Sequence, residues 1–185
     1  MDVCGGLFAA GYFELATARC TAADKDCVVI FGKECFEAGD AFAKSQLGSG
    51  TELPLSGKVF VSVRDGDKAA LVEPCRQLVE WGFELVATRG TGTTLGESGL
   101  EVTIVNKVRE GRPDIVDEMR SGRIQLVFNT TEGTQAIADS FSLRRAALTN
   151  NIPYYTTVAG ARAAVQAIGA LRRGNLEVAP LQSYF

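Results

Sequence analysis

Residues 58–87 read KVFVSVRDGDKAALVEPCRQLVEWGFELVA, and this stretch decides the fold. KVFVSV (58–63) is a short β-branched run suited to a buried strand, and it ends in the polar turn RDGDK (64–68). The next residues put Leu71, Val72, Cys75, Leu78 and Val79 on one face and stop at Gly82, as an amphipathic helix does. Pro74 falls inside that helix and predicts a kink or a shifted start. FELVA (83–87) is then a second strand, so the unit is strand, helix, strand.

Toward the C-terminus the alternation continues. TRGTGTTLGESG (88–99) turns through glycines into a short helix, and 102–105 makes a third strand. Pro113 at a start and Gly122 after an end bracket the next helix. IQLVF (124–128) is the fourth strand, leading through NTTEGT into a helix that runs to about Asn150. Residues 153–157 form a fifth strand, and Ala161, Ala164, Val165, Ile168 and Leu171 give the last helix its apolar stripe. Five βα units in succession predict a three-layer α/β/α fold around a parallel sheet.

Toward the N-terminus, QLGSGTELPLSGK (46–58) has the Gly, Ser, Thr and Pro content of a linker, which sets a boundary near Ser56. The chain then divides into an N-terminal extension and linker, 1–56, and a domain over 57–185. Within the extension, Cys35, Ala38 and Phe42 recur at helical spacing and predict a short helix over 34–46 despite Gly39.

Composition narrows the chemistry. The 185 residues are 46% hydrophobic and 22% charged, with a mean hydropathy of +0.07, which suits one globular domain with a sizeable core. Nineteen Lys and Arg against 22 Asp and Glu give a formal charge of -3, so a general pull toward a nucleic acid polymer or an anionic membrane is not expected. Any anion must be caught locally. There is no histidine, which removes Ser-His-Asp and Cys-His nucleophilic machinery and imidazole acid/base chemistry. The five cysteines, at 4, 20, 27, 35 and 75, show no CxxC spacing and follow no basic leader; free thiols in a reducing cytoplasm are the expectation, with no metal site. The longest apolar run near Cys27, CVVIF, is far short of the roughly 20 residues a membrane helix needs.

In open parallel sheets ligands bind beyond the carboxyl ends of the strands, so the residue after each strand carries the functional information. Strand one delivers Ser62 and, a turn later, Lys68; strand two delivers Thr88, Gly90 and Thr91; strand three delivers Asn106 and Lys107; strand four delivers Asn129, Thr130 and Thr131. Hydroxyls, amides, glycines and two lysines on one edge suit a phosphate, which helix N-termini and ammonium groups both favour. Each of these residues taken singly is an ordinary cap or turn residue.

SVRDGDK (62–68), ELVATRGTGTTLGESGL (84–100), VNKVREGRP (105–113), FNTTEG (128–133) and IADSFSLRRAAL (137–148), in this order and spacing, closely resemble the C-terminal allosteric domain of bacterial carbamoyl-phosphate synthetase large subunits. EAGDAFAKSQLGSG (37–50) resembles the last helix of that subunit's second synthetase half and the linker after it. The resemblance implies a methylglyoxal-synthase-like fold with strand order 3-2-1-4-5 and a pocket for regulatory nucleotides. In that family UMP inhibits and IMP activates at one shared site. Carried over by position, the effector phosphate falls to Lys68, Thr88, Thr91, Lys107, Asn129 and Thr131, with Ser62 and Asp139 near phosphate and ribose. Tyr154 and Thr156 match the domain's side of an ornithine site, although Tyr155 replaces the usual Asp between them.

The same resemblance implies a place in pyrimidine and arginine biosynthesis as part of a glutamine-hydrolysing carbamoyl-phosphate synthase. ATP and Mg belong to synthetase regions that this sequence does not contain, so the expectation is a truncated or split large subunit with no catalytic site of its own. Its partners would be the remainder of the large subunit and the glutaminase small subunit. Residues 1–56 are then expected to add little to the fold. The enzyme alternative is a methylglyoxal synthase-like lyase acting on dihydroxyacetone phosphate, for which Asp114 and Asp117 are the available carboxylates. A purine-pathway cyclohydrolase domain is a third, weaker match that diverges after strand three.

Overall fold

A computed structural model describes residues 17–19, 28–31, 34–108, 110–130 and 134–174, with backbone alone for 17–19, 28–31, 34–37 and 134–139. Three short strands come first: β1 (Thr17–Arg19), β2 (Val28–Phe31) and β3 (Glu34–Glu37), paired antiparallel in the order β1-β2-β3. Helix α1 (Ala38–Gly48) follows, so the helix expected over 34–46 begins four residues later. The β-branched VVIF run is the reason: it pairs Val28 with Glu37 and Phe31 with Glu34, and this ladder outweighs the local helical spacing.

The main sheet is built from β4 (Gly57–Ser62), β5 (Phe83–Ala87), β6 (Val102–Ile104), β7 (Leu126–Asn129) and β8 (Tyr154–Tyr155). Their order is β6-β5-β4-β7-β8 and every pairing is parallel, the 3-2-1-4-5 arrangement expected. Between them run α2 (Asp65–Glu80), α3 (Arg89–Glu97), α4 (Ile115–Arg120), α5 (Thr134–Thr149) and, last, α6 (Val158–Arg173).

Strand alternation divides the core in two. Val59, Val61, Leu85, Ala87, Leu126 and Phe128 face one side, where they meet α1, α2, α3 and α6. Phe60, Val86 and Val127 face the other and meet α4 and α5 through Ile115, Met119, Leu143 and Ala147. Each layer buries apolar residues worth roughly 1.5–3 kcal/mol apiece.

Pro74 is accommodated inside α2 and buried. A proline at that position cannot donate to the carbonyl four residues earlier. That carbonyl, Ala70 O, accepts instead from Arg162 Nη2 of α6 at 3.1 Å. The helix therefore continues through the proline, and α2 is tied to α6 at the same point. Cys75, the next residue, is buried and free, and burial pushes its thiol up to about 12. Cys4, Cys20 and Cys27 lie outside the described residues, as does the side chain of Cys35.

The expectation that residues 1–56 add little to the fold does not hold for α1 and the segment after it. Ala43 and Leu53 are buried in the same core as Val59 and Ile168, with Phe42 packed against it. Gly39 meets α6 so closely that a Cβ there would lie 2.7 Å from Gln166 O. Arg172 Nη1 donates to Leu55 O at 2.8 Å, and Tyr155 Oη donates to Gln46 Oε1 at 3.0 Å. A Gly-rich, polar segment reads as a linker in sequence, yet here the Leu55 carbonyl, the Gln46 side chain and buried Leu53 serve tertiary contacts. No helix among the described residues is long and apolar enough to cross a membrane.

Candidate functional site

The carboxyl ends of β4, β5 and β7 open on a cavity of about 440 Å³. Its polar end is laced by hydroxyls. Ser62 Oγ and Thr88 Oγ1 are 3.2 Å apart; Val63 N donates to Thr91 Oγ1 at 3.1 Å; Arg64 N donates to Thr130 Oγ1 at 3.2 Å. Residues 62–64, the last of β4 and the two that lead into α2, are thus each bonded to a hydroxyl from a neighbouring strand end or from the first turn of α3. Thr88, Thr91, Asn129 and Thr130 are all buried. Buried hydroxyls and amides persist only when bonded, so the loops fix one another.

Two helices start at this end. The positions before α2 and α3 are Arg64 and Thr88, both with extended backbone and neither making a side-chain cap bond. First-turn N–H groups without a cap and the positive end of the helix dipole are suited to an anion. Cations line the same space: Arg64, Lys68 and Lys107. Lys68 is largely buried, and its Nζ lies 3.5 Å from where a Cβ on Gly90 would sit, against the first turn of α3. Lys107 arrives on the exposed loop after β6, its backbone N–H donating to Glu110 Oε2 at 3.2 Å.

Carboxylates answer the cations. Lys68 Nζ is 2.7 Å from Asp65 Oδ1, and this hydrogen bond holds the Asp65 carboxyl below its usual value. Arg64 Nε donates to Asp67 Oδ2 at 2.8 Å; this bond, with a second from Thr130, lowers the pKa of Asp67 as well. The other end of the cavity is apolar, walled by Phe60, Val108, Ile115 and Leu143, with Ser140 buried among them.

Of the residues singled out in the sequence, Ser62, Lys68, Thr88, Thr91, Lys107 and Asn129 line this cavity, together with Gly90 and Thr130. Thr131 lies outside the described residues, and Asp139 is on α5 with its side chain outside them. Asn106 does not reach the cavity; its carbonyl accepts from Ile115 N at 3.2 Å. Tyr154 and Thr156 stand apart from it. Tyr154 faces a second cavity of about 240 Å³ beside Gln46 and Leu148, and its Oη accepts from Asn129 Nδ2, which links the two spaces. Thr156 is exposed and lines neither. Tyr155 packs against Phe42 and Phe128, with ring centroids 6.1 and 6.2 Å away, so it serves the core, and burial raises its hydroxyl to about 12.

Arg64 and Ser140 also line the cavity and were not foreseen. Arg64 immediately precedes α2, a position readable as a strand-end delivery; Ser140 sits within a helix, where no local pattern marks it. Asp114 and Asp117, the carboxylates available to a lyase, are engaged elsewhere. Asp114 Oδ1 accepts from Val116 N and Asp117 N at 2.9 and 3.0 Å, and Asp117 Oδ2 accepts from Asp114 N at 3.3 Å. They form a capping box at the start of α4, and neither lines the cavity.

Comparison with known proteins agrees with this fold. Residues 70–156 match the MGS-like domain family. The chain is similar to the carbamoyl phosphate synthase large chain of Rhizobium meliloti (strain 1021), 59% identical over 145 residues, which is 78% of this chain and 12% of that relative. It is 55% identical over 145 residues to the large chain of Brucella suis biovar 1, and 52% identical over 166 residues to that of Myxococcus xanthus, covering 84% of this chain and 15% of the relative. The chain thus spans about one eighth of the length of the first two of these relatives.

Proposed function

This chain belongs to the MGS-like family and carries that domain as it occurs in carbamoyl phosphate synthase large chains, and we propose that its strand-end cavity is a regulatory site for a nucleoside monophosphate. The observation that carries this reading is the meeting of Lys68 and Lys107, delivered after different strands, with the uncapped start of α3 in one cavity. A phosphate monoester dianion needs two or more charged donors and several backbone N–H groups, and it finds them at one end. The apolar wall of Phe60, Val108, Ile115 and Leu143 then takes the base. A wall without charged side chains is compatible with either a pyrimidine or a purine, as the UMP and IMP implied by the resemblance require. The cavity volume of about 440 Å³ falls in the usual range for small-molecule sites, roughly 300–1,000 Å³.

On this reading the domain binds an effector and performs no chemistry itself. ATP, Mg and the synthetic steps belong to the synthetase regions of such large chains, and the glutaminase small subunit is a partner of the whole assembly in pyrimidine and arginine biosynthesis. Ornithine, if it reaches Tyr154 and Thr156, needs acidic partners from those regions.

Calorimetric titration with UMP, IMP and uridine tests the reading. A hydrogen bond to a charged group contributes roughly 1.5–3 kcal/mol. Lys68→Ala or Lys107→Ala should therefore weaken UMP by about 10- to 100-fold, and uridine should bind poorly to every form. Equal affinity for UMP and uridine would refute it.

A further inference from the structure

Lys68, the cation set against the first turn of α3, is already engaged. Asp65 Oδ1 lies 2.7 Å from its Nζ, one helical turn earlier on α2. The two ends of this pair differ: the Lys68 side chain is 16% exposed and that of Asp65 is 96% exposed. The ammonium is therefore inside the cavity while the carboxylate stands in its mouth. Both residues line the cavity. An anion bound at the start of α3 would lie beside Lys68 and hence near the Asp65 carboxylate.

Resting on the phosphate reading above, we propose that Asp65 is a built-in competitor for the effector, a residue that sets the affinity of the site by holding Lys68 until a phosphate displaces it. Three physical consequences follow. Binding must break or share the Asp65–Lys68 hydrogen bond, which subtracts from the gain. The remaining carboxylate repels the incoming dianion at short range. Because Asp65 is almost wholly in water, the displaced carboxylate is rehydrated at once, so the exchange is reversible and the site stays within a regulatory range of affinity. Arg64 is held by Asp67 in a similar way at 2.8 Å, but Asp67 is itself tied to Thr130 and the loop, so Asp65 is the partner that can leave.

Calorimetric titration of UMP and of inorganic phosphate into the wild-type chain, Asp65→Asn, Lys68→Ala and the double variant tests the proposal, with Glu73→Gln as control. Glu73 is exposed on the same helix, pairs with Arg76 at 3.6 Å and does not line the cavity, so Glu73→Gln changes the net charge by the same amount without touching Lys68. Asp65→Asn should tighten UMP by about 3-fold, a size that exposed ion pairs support. The gain should shrink in the Lys68→Ala background, where competition for Lys68 is gone and only the repulsion of the carboxylate remains to be relieved. Glu73→Gln should leave affinity unchanged. If UMP binds the wild type and Asp65→Asn leaves it equal or weaker, or if Glu73→Gln gives the same gain, the proposal is overturned and the site reading stands. If neither the wild type nor Asp65→Asn binds UMP or phosphate, the site reading fails and takes the proposal with it. Binding by Asp65→Asn alone would support both.

Discussion

Thr91, in the first turn of α3, is bonded to the end of a different strand: Val63 N donates to its Oγ1 at 3.1 Å, and Val63 O lies 3.4 Å from the same hydroxyl. Both residues are buried, so losing the bond leaves the Val63 N–H with little access to solvent. The hydroxyl that the resemblance assigns to an effector phosphate thus first fixes the loop that carries Ser62 and Arg64.

Thr91→Val should leave the Val63 N–H buried without its acceptor and lower stability by about 1–3 kcal/mol. Thr91→Ser keeps the hydroxyl and should restore most of the loss. Urea unfolding monitored through the single Trp81 reads both. Equal stability of the wild type and the valine variant would show that the bond contributes nothing.

Gly39→Ala should push α1 away from α6, because its Cβ would meet Gln166 O at 2.7 Å, a backbone atom that cannot rotate aside. Overpacking of this kind costs about 1–3 kcal/mol. Deleting residues 1–56 should do worse, since it strips Phe42, Ala43 and Leu53 from the core. Thermal unfolding distinguishes this from an extension that merely trails the domain, whose removal would leave Tm unchanged.

Asp114→Ala removes the cap of α4 and should lower stability by about 1–2 kcal/mol while leaving UMP affinity as it was. The lyase alternative makes the opposite forecast. Formation of methylglyoxal from dihydroxyacetone phosphate by the wild type, abolished in Asp114→Ala, would restore that carboxylate to a catalytic role.

Stability should decline in acid through specific carboxylates. Glu118 accepts from Arg123 Nε and Nη2 at 2.6 and 2.8 Å, and this fork holds its carboxyl below the usual 4.5. Asp67 is held below 3.8 by Arg64 and Thr130. A carboxyl with a depressed folded-state pKa adds stability above its unfolded value and loses it as pH falls through the folded one. Unfolding midpoints should therefore hold from neutral pH to about 5 and drop below the usual carboxylate values. Glu118→Gln and Asp67→Asn should each flatten that drop; an unchanged slope would contradict the assignment.

The five parallel strands were legible because each is a short apolar or aromatic run bounded by glycine, proline or polar turns, although the fifth, expected over 153–157, is only Tyr154–Tyr155. Most of the cavity was legible for a related reason: parallel strands send their last residues to one edge, so Ser62, Thr88 and Asn129 could be placed together without coordinates. The packing of α1 on α6 was not legible. The helical spacing of the segment predicts a helix but not its partner: the contacts rest on the close approach at Gly39, on buried Ala43 and on the Asp40–Arg173 ion pair, none of which has a local signal. Ser140 was missed because its role depends on which side of α5 faces Phe60, a tertiary fact. Between β2 and β3 the sequence does hold a Gly-X pair suited to a two-residue hairpin, Gly32-Lys33, but the helical spacing of Cys35, Ala38 and Phe42 that follows it points the other way.

The most direct test of a phosphate ester at the strand ends is amide chemical-shift mapping of the isotopically labelled chain during UMP titration. Saturable shifts should centre on the amides of Arg64, Asp65, residues 88–91, Asn129 and Thr130, and uridine at the same concentration should leave them unmoved. Shifts centred instead on Gly50, Asn151 and Tyr154, around the second cavity, or an equal response to uridine, would place the effector elsewhere and contradict the account.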